Sequence, residues 1–417
     1  MKLKPISKVV LRNLGVDLKI EVNRDLNELR KQGPQGIVIA TPTRSFYAVS
    51  QDSASFLLKK KVPYVMSMAV FYQLQYFDAM FVGQKAKRKA LRPAGMKFRK
   101  VYKPYLGQEL NGKKILVWRT GGIGDLLFIQ PNLRKLKEWY PDCYVTFACA
   151  RQYQSMVETW DEVDELIDLP FPARYLTEAD YHIIFEGVIE RCREAETTNA
   201  YKLFSKWLNI EVPEEELVPK QETKPEVDKE VLQIIKEKFN LEPGDYIVAS
   251  MRSSAIIRTP DPQVTCNILS KLLEKGHKIV LTDSSKHSKL LDGTISKFLG
   301  DSTNVFNFAP YSKELHSTIS LIKFSKLVIS PDTSLVHLAA SLDVPCFGIY
   351  GPFPGRVRLS TYPKADWIEG RMDCAPCFTH GSKPCKNNID GFSKCFYSID
   401  SGQAVQKIEN LLVRSSK

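Results

Sequence analysis

Residues 115–125 read Ile-Leu-Val-Trp-Arg-Thr-Gly-Gly-Ile-Gly-Asp, and this stretch decides the fold. Its apolar start, Ile115–Trp118, has the length of a buried parallel strand. Three glycines then allow a tight turn and a close approach of a ligand to the backbone: Gly121, Gly122 and Gly124. Asp125 stands where a helical pattern begins. The order strand, glycine turn, helix predicts a ligand at the carboxyl end of a parallel sheet. The same residues also fit an ordinary turn, in which Asp125 complements the helix dipole.

Strand and helix patterns alternate from Ile115 onward, which predicts parallel sheets. A proline-containing polar segment, 211–227, has little periodicity and separates two such α/β units. We therefore predict an α/β fold with two Rossmann-like domains facing a cleft, preceded by an extra basic α/β or α+β module. The predicted domains are a basic accessory module (1–107), two Rossmann-like domains (113–218 and 226–400, the second with a four-cysteine loop over 371–397) and a C-terminal helix packing back across the domains (401–417).

The composition is that of a soluble globular protein, with 43% hydrophobic and 25% charged residues. No apolar segment follows the basic start of the chain, so we expect no signal peptide. The nine cysteines are odd in number and mostly scattered, which indicates a reducing compartment with free thiols. These features predict a cytoplasmic protein that can also be peripheral at the inner membrane surface.

The net charge of +12 is concentrated before Ile115, where 23 Lys and Arg stand against 7 Asp and Glu. The densest basic run is Lys85–Lys89. An anionic partner would explain it, whether nucleic acid, lipopolysaccharide or a membrane surface. The alternative is a solvated basic face without a partner. In the same module we predict a helix over 53–61, a strand over 62–66, and over 69–81 a core helix or, alternatively, an interfacial one.

A second motif, Pro331-Asp-Thr-Ser-Leu-Val-His337, follows another apolar run. It predicts a strand, a polar loop and a helix N-terminus, whose free N–H groups at Thr333, Ser334 and Leu335 bind anions. Asp332 can accept hydrogen bonds from ribose hydroxyls or a base amine. The alternative is a plain helix capped by Asp332 or Thr333, with His337 packed against the sheet.

Together these motifs resemble the ADP-heptose:lipopolysaccharide heptosyltransferase family, whose fold is the two-Rossmann GT-B glycosyltransferase fold. The first match is Gly122-Ile-Gly-Asp125 with Leu126, Leu127 and Pro131 behind it. The second is Asp332-Thr333 with His337-Leu-Ala-Ala340, Val344-Pro345 and Gly351-Pro352. The resemblance covers about residues 113–410 and leaves 1–107 outside it. It implies that 113–218 form the acceptor-side domain and 226–400 the nucleotide-sugar-binding domain.

The resemblance implies roles for individual residues. The family's aspartate after the first glycine turn is the candidate general base, here Asp125. A basic residue after the first strand of the second domain holds the donor phosphates, and within 253–260 the suitable residue is Arg258. The remaining donor-side positions follow the second motif: Asp332, Thr333, Ser334, His337 and Gly351. Ser334 replaces the family's usual glycine, which changes the closest backbone approach to the diphosphate.

An acceptor hydroxyl is a weak acid, so a carboxylate within hydrogen-bond reach must take its proton during attack. The departing nucleoside diphosphate needs fixed positive partners, which Arg258 and the amides of 333–335 can supply. The chain contains no Asp-x-Asp pair, so we expect no catalytic metal. Single displacement would invert the anomeric carbon.

These features predict an inverting, metal-independent glycosyltransferase that moves a sugar, heptose or similar, to lipopolysaccharide or another glycan. The expected donor is a nucleoside-diphosphate sugar, with ADP as the favoured nucleotide. The alternatives are a modified DNA base or protein Ser/Thr as acceptor, or a non-catalytic nucleic-acid-binding protein on a degenerate Rossmann pair. The expected partners are the nucleotide-sugar donor and an anionic acceptor recruited through 1–107; a homo-oligomer is also possible.

Four of the nine cysteines stand close together near the C-terminus: Cys374, Cys377, Cys385 and Cys395. A Cys-x-x-Cys pair with two further cysteines is typical of a closed four-thiolate metal site, with zinc or iron as the ion. The alternative is a loop with free or disulfide-bonded cysteines. Similar clusters occur in relatives of the heptosyltransferases, including those that glycosylate autotransporter proteins and carry an N-terminal extension.

Overall fold

The structure is a computed structural model that describes residues 26, 30–31, 33–34, 36–43, 45–49, 55–68, 70–71, 74, 91–300, 303–379 and 384–415. The basic run Lys85–Lys89 and most of the predicted helix over 69–81 lie outside these residues. The chain folds into two compact units. The first unit comprises 1–121, 133–195 and 203–211, and the second comprises 122–132, 196–202 and 212–417. The predicted domain boundaries stay a prediction.

The strands of the first unit are β1 (Ile37–Pro42), β2 (Phe46–Val49), β3 (Ser55–Leu58), β4 (Tyr64–Ser67), β5 (Leu91–Pro93), β6 (Lys114–Trp118), β7 (Tyr144–Cys149), β8 (Glu165–Asp168), β9 (Phe171–Pro172) and β10 (Tyr181–Ile184). Those of the second unit are β11 (Tyr246–Ala249), β12 (Lys278–Leu281), β13 (Val305–Asn307), β14 (Leu327–Pro331), β15 (Cys346–Tyr350), β16 (Ala365–Glu369), β17 (Asn388–Ile389) and β18 (Phe392–Ser393).

The described α-helices are α1 (Phe98–Val101), α2 (Ile123–Leu127), α3 (Gln130–Trp139), α4 (Arg151–Val157), α5 (Arg174–Glu178), α6 (Val188–Arg191), α7 (Ala200–Leu208), α8 (Pro225–Phe239), α9 (Pro262–Glu274), α10 (Ser288–Thr294), α11 (Leu315–Lys323), α12 (Ser334–Ser341), α13 (Gly355–Leu359) and α14 (Ser401–Ser415). Short 3₁₀ turns lie at 193–196, 214–216, 256–258, 285–287, 309–311 and 394–398, and a π turn at 295–299.

The first unit combines a parallel and an antiparallel sheet. The parallel sheet has the strand order β10-β6-β7-β8, and the antiparallel sheet has the order β5-β1-β4-β9. Ile39 and Val65 of the antiparallel sheet share a buried cluster with Leu116 and Trp118 of the parallel sheet. The described N-terminal residues therefore contribute to the same hydrophobic core as the first Rossmann-like strand.

One local prediction in this region is wrong. Where a helix is predicted over 53–61, the structure has the strand β3, which pairs antiparallel with β2 over Phe46–Val49. Backbone pairing with a neighbouring segment overrides the helical pattern of a short run, because a strand draws its hydrogen bonds from its partner. The strand predicted over 62–66 is confirmed as β4, shifted by one to two residues.

The second unit is built on a six-stranded sheet with the order β13-β12-β11-β14-β15-β16. Every pairing in it is parallel, and β11, β14 and β15 are buried at every position. Apolar runs without alternation are expected for strands covered on both faces. The carboxyl ends of all six strands lie at one edge, and this edge positions the candidate site.

The C-terminal helix α14 packs within the second unit, against α9 and β16. Its buried side chains join the main hydrophobic cluster of that unit: Ala404, Val405, Ile408 and Leu411. Its predicted packing across both domains stays a prediction. None of the described helices is both long enough and apolar enough to cross a bilayer.

Candidate active site

The candidate site centres on Asp332, which follows the central strand β14 at the carboxyl edge of the six-stranded sheet. Its side chain is only 8% exposed and lies between two guanidinium groups. Nη1 of Arg258 lies 3.3 Å from Oδ2, and Nε of Arg358 lies 3.8 Å from Oδ1. Two cations beside one carboxylate leave an excess positive charge at the end of this strand.

Arg258 is held by the loop that follows β11. It ends the 3₁₀ turn Ile256–Arg258, donates from Nη1 to the carbonyl oxygen of Asp332 at 3.1 Å, and donates from Nη2 to Oγ of Ser254 at 3.0 Å. Oγ of Ser253 donates to the same Asp332 carbonyl at 2.9 Å. Nε of Arg258 is buried without a hydrogen-bond partner among the described residues. A buried, unpaired N–H favours binding of an acceptor such as a phosphate oxygen.

Arg358 lies on α13, and its guanidinium stands 4.7 Å from the centre of the Phe353 ring. Its side chain is 6% exposed. The ring and Asp332 together fix the guanidinium in place, since a cation is attracted both to an aromatic face and to a carboxylate.

Helix α12 begins immediately after Asp332. Thr333 is its N-cap, and Oγ1 of Thr333 accepts from the N–H of Leu335 at 3.1 Å and shares a 3.0 Å hydrogen bond with Oγ of Ser330. Ser334 is the first helical residue. The capping predicted as an alternative is thus present, and the helix dipole adds positive potential beside the two arginines.

His337 lies on the first turn of α12 and is 3% exposed. The Phe128 ring packs against it at 4.7 Å between centroids, and Nδ1 lies 2.7 Å from the hydroxyl of Tyr362. The pKa of His337 is lowered to about 4, mainly because the ring is buried. The smaller effects oppose one another: Asp332 and Asp125 raise this pKa, whereas Arg358 and Arg258 lower it. The imidazole is therefore neutral at physiological pH.

The glycine turn before α2 comes close to the same histidine. A Cβ at Gly124 would lie 3.2 Å from Cδ2 of His337 and 3.9 Å from Cα of Ser334, so glycine permits the close approach of α2 to α12. Gly122 is the N-cap of α2 and Gly121 precedes it. Oδ2 of Asp125 accepts from the N–H of Gly122 at 3.1 Å. Asp125 is half-buried.

Gly351 follows β15 and packs against the cysteine loop, whereas Gly124 packs against His337. A Cβ there would lie 2.9 Å from both Sγ of Cys395 and the ring of Phe396, so close packing against the cysteine loop requires a glycine. The preceding Tyr350 has a fully buried hydroxyl without a hydrogen-bond partner in the described part of the chain. Burial raises the pKa of Tyr350 well above its usual value, and the nearby Asp332 raises it further.

The four cysteines lie in the loop that packs under Gly351. Burial raises the pKa of the Cys395 thiol to about 11, and Cys385, Cys377 and Cys374 raise it further as neighbouring thiols. The side-chain amide of Asn387 donates to Sγ of Cys374 at 3.4 Å. Across the described ranges, however, no three His, Cys, Asp or Glu side chains are arranged as a ready metal site.

The structure thus brings Asp125, Arg258 and Asp332 close enough to His337 for each of them to affect its pKa. Sequence reasoning missed four further residues of this site: Arg358, Phe128, Tyr201 and Tyr362. Arg358 could have been found as a basic residue soon after the Gly351-Pro352 turn. Phe128 lies inside the first motif but reads there as an ordinary apolar helix residue, and Tyr201 and Tyr362 stand outside both motifs.

A parallel sheet with cationic side chains and a helix N-terminus at its carboxyl edge is an arrangement that suits a phosphorylated ligand. Comparison with known proteins defines the class further. Residues 201–386 match the model of glycosyltransferase family 9 (heptosyltransferase). A search of curated proteins by sequence finds no match.

Solved structures show the same fold. A family 9 glycosyltransferase from Veillonella parvula DSM 2008 is 16% identical with a TM-score of 0.58, covering 74% of this chain and 99% of that one. E. coli ADP-heptose lps heptosyltransferase II is 15% identical with a TM-score of 0.51, covering 73% and 100%. TibC, an iron-containing dodecameric glycosyltransferase from enterotoxigenic E. coli H10407, is 13% identical with a TM-score of 0.52, covering 92% and 97%.

The predicted α/β fold with Rossmann-like parallel sheets is confirmed, and so is the resemblance to the heptosyltransferase family. The match to the glycosyltransferase family 9 (heptosyltransferase) model over 201–386 indicates that this chain is a glycosyltransferase.

Proposed function

We propose that this glycosyltransferase transfers a heptose or similar sugar from an ADP-linked donor to a hydroxyl of lipopolysaccharide or another glycan, with inversion at the anomeric carbon. The observation that carries the proposal is the pair of guanidinium groups around Asp332 at the N-terminus of α12. A nucleoside diphosphate carries the negative charge that this arrangement attracts. A ligand of this kind is known for a protein of similar fold, since TibC has been solved with ADP-D-beta-D-heptose.

Donor recognition is assigned to the carboxyl edge of the six-stranded sheet. Arg258 and the amide groups at the start of α12 bind the diphosphate, and Asp332 and His337 bind the nucleotide side of the donor. The unpaired Nε of Arg258 supports this role. Ser334 and Gly351 border the same region. The role of Gly351 is to let its turn pack closely against Cys395.

Asp125 is the proposed general base. Its carboxylate is oriented by the Gly122 N–H and is near enough to the donor-side groups to interact electrostatically with His337. It takes the proton of the acceptor hydroxyl as that oxygen bonds to the anomeric carbon. The bond from this carbon to the diphosphate breaks at the same time, and the nucleoside diphosphate leaves with the electron pair. The reaction so written uses no catalytic metal.

The basic N-terminal residues are proposed to recruit an anionic acceptor, and the enzyme is proposed to work in the cytoplasm, at or near the inner membrane surface. Protein Ser/Thr is a second candidate acceptor. The likeness to TibC covers 92% of this chain, whereas the likeness to heptosyltransferase II covers 73%, so this chain shares more of its length with the iron-containing, dodecameric relative. Relatives with both the extension and the cysteine cluster include enzymes that glycosylate proteins. A homo-oligomer is part of this second proposal.

The four cysteines are proposed to bind one structural zinc or iron ion. Four thiols are a donor set that either ion accepts, and the mutual effect of these thiols on the pKa of Cys395 supports their proximity. A bound ion would fix the loop, and its binding energy would add to folding stability.

Metal analysis of the purified chain tests this assignment, with about one ion per chain expected. Cys377→Ser should lose the ion and lower the melting temperature. The control is Cys143→Ala, a buried cysteine outside the loop, which should keep the ion. A metal-free wild type, or equal metal content in both variants, contradicts the assignment.

The donor is identified by thermal unfolding with a panel of ADP-, UDP- and GDP-linked sugars. A ligand that binds the folded state raises its melting temperature. We expect protection by ADP-linked sugars and then, with acceptor present, release of ADP. Protection by DNA but by none of the nucleotides would instead support the non-catalytic nucleic-acid-binding alternative.

A further inference from the structure

A line of buried hydroxyl groups ends on His337. The hydroxyl oxygens of Tyr201 and Tyr362 lie 2.6 Å apart, and that of Tyr362 lies 2.7 Å from Nδ1 of His337. All three side chains are at most 5% exposed. All three belong to the second unit, which includes 196–202 and 212–417.

The direction of these hydrogen bonds follows from the chemistry of the groups. A phenol is a stronger acid than a neutral imidazole N–H, and an imidazole nitrogen is a stronger base than a phenol oxygen. The favourable arrangement therefore has Tyr362 donating to Nδ1 of His337 and accepting from Tyr201. This leaves the single ring proton of the neutral imidazole on Nε2.

The opposite edge of the ring faces the glycine turn. The position of a Cβ at Gly124 lies 3.2 Å from Cδ2 and 3.8 Å from Nε2 of His337. Nε2 makes no hydrogen bond within the part of the chain that the structure describes. The charged groups that affect the ring are Asp332, Arg358, Asp125 and Arg258, which are the groups of the candidate site.

We propose that Tyr362, supported by Tyr201, is a positioning residue that holds His337 in the Nε2–H tautomer, so that the ring donates one fixed hydrogen bond to an oxygen of the bound nucleotide-sugar donor. The identity of this acceptor oxygen rests on the proposed function. The tautomer itself rests only on the geometry of the three side chains.

The electrostatics agree with this arrangement. Burial lowers the pKa of His337 to about 4, so the ring is neutral and the position of its one proton decides what it can donate. Burial raises the pKa of Tyr362 well above its usual value, and the neighbouring Tyr201 raises it further, so the phenol keeps its proton.

The tautomer is tested by NMR of the full chain labelled with ¹⁵N-histidine, without nucleotide. The His337 signals are assigned by their loss in His337→Gln. In the wild type we expect a protonated Nε2 and an unprotonated Nδ1. In Tyr362→Phe we expect both nitrogens to shift toward the values of a tautomer mixture. Tyr246→Phe is the control, because that buried phenol donates to the Leu321 carbonyl at 2.9 Å, away from His337.

The consequence for binding is measured by calorimetric titration with ADP. We expect Tyr362→Phe to raise the Kd about two- to tenfold, the effect of one hydrogen bond. In a His337→Gln background, the same substitution should change the Kd less than about twofold, because glutamine has no tautomer to select. A residue that merely supported the fold would weaken binding equally in both backgrounds.

Three results would overturn the proposal: an Nδ1–H tautomer in the wild type, an unchanged tautomer in Tyr362→Phe, or additive effects of the two substitutions. If the wild type binds no nucleoside diphosphate, the proposed function fails and the donor hydrogen bond fails with it. The assignment of the tautomer is still decided by NMR alone, so the two failures are distinguishable.

Discussion

Two turns that lead into helices of the second unit, α2 and α12, differ in their side chains. The turn before α2 is made of glycines, and its N-cap Gly122 offers no side chain. The carboxylate of Asp125, on the first turn of α2, accepts a hydrogen bond from the Gly122 N–H. The turn before α12 has no glycine; Asp332 there lies between Arg258 and Arg358, and Thr333 caps the helix.

The difference separates two chemical tasks. A binding site for a diphosphate needs fixed positive charge, which the turn before α12 supplies in excess. A site for proton transfer needs one carboxylate that can accept a proton from the substrate hydroxyl, without other charged side chains beside it that would bind that hydroxyl instead. The two turns meet through Gly124 and His337, so the proposed function assigns one task to each of two adjacent turns.

The largest expected effect tests the turn before α2. Asp125→Asn keeps the size of the side chain and an oxygen for the Gly122 N–H, but removes the proposed base. We expect kcat to fall about 10²- to 10⁴-fold, as for the loss of a general base. The Kd for ADP should stay within about twofold, since the amide leaves the donor side intact.

Asp343→Asn is the matched control for this prediction. Asp343 is exposed after α12 and has a φ of 58°, a conformation that asparagine tolerates well. It should keep wild-type turnover. If Asp125→Asn also turns over at the wild-type rate, Asp125 is only a helix-capping residue and the contrast between the two turns disappears.

The next largest effect tests the turn before α12. Arg258→Ala removes the donor to Asp332 together with the unpaired Nε, and we expect the Kd for ADP to rise about 10- to 100-fold, the range for a charge-assisted hydrogen bond. Calorimetric titration measures this. Arg356→Ala is the control, because Arg356 is exposed on α13. Equal affinities for both variants would place the diphosphate elsewhere.

The sequence predicts the elements of the site better than the contacts between them. Strand, turn and helix at 114–127 and 327–341 follow from local pattern, and the structure has β6, α2, β14 and α12 there. Local order along the chain suffices for these elements, because each of them is continuous. Arg258 is selected by the resemblance to the heptosyltransferase family, and it does lie against Asp332.

Pairings between residues far apart in the chain cannot be predicted in this way. The hydrogen bond between Tyr201 and Tyr362 joins residues 161 positions apart. Nothing in the residues around either tyrosine specifies that pairing, which depends on how α7 is placed beside the loop after α13. The helical pattern over the strand β3 misleads for a related reason: the conformation of β3 depends on its pairing with β2, which the periodicity within 53–61 does not include.

The smallest expected effect tests the difference between the N-cap of α12, which has a capping side chain, and that of α2, which has none. Thr333 caps α12 with its own hydroxyl at 3.1 Å from the Leu335 nitrogen, whereas the N-cap of α2 has no side chain. Thr333→Ala should therefore lower the free energy of unfolding by about 1 kcal/mol, measured by urea denaturation, and Thr333→Ser should restore most of it. The Kd for ADP should change little in either variant, because the backbone amides proposed to bind the diphosphate remain. A Thr333→Ala variant with unchanged stability but strongly weakened ADP binding would mean that the hydroxyl contacts the nucleotide directly, and the capping role assigned to it would be wrong.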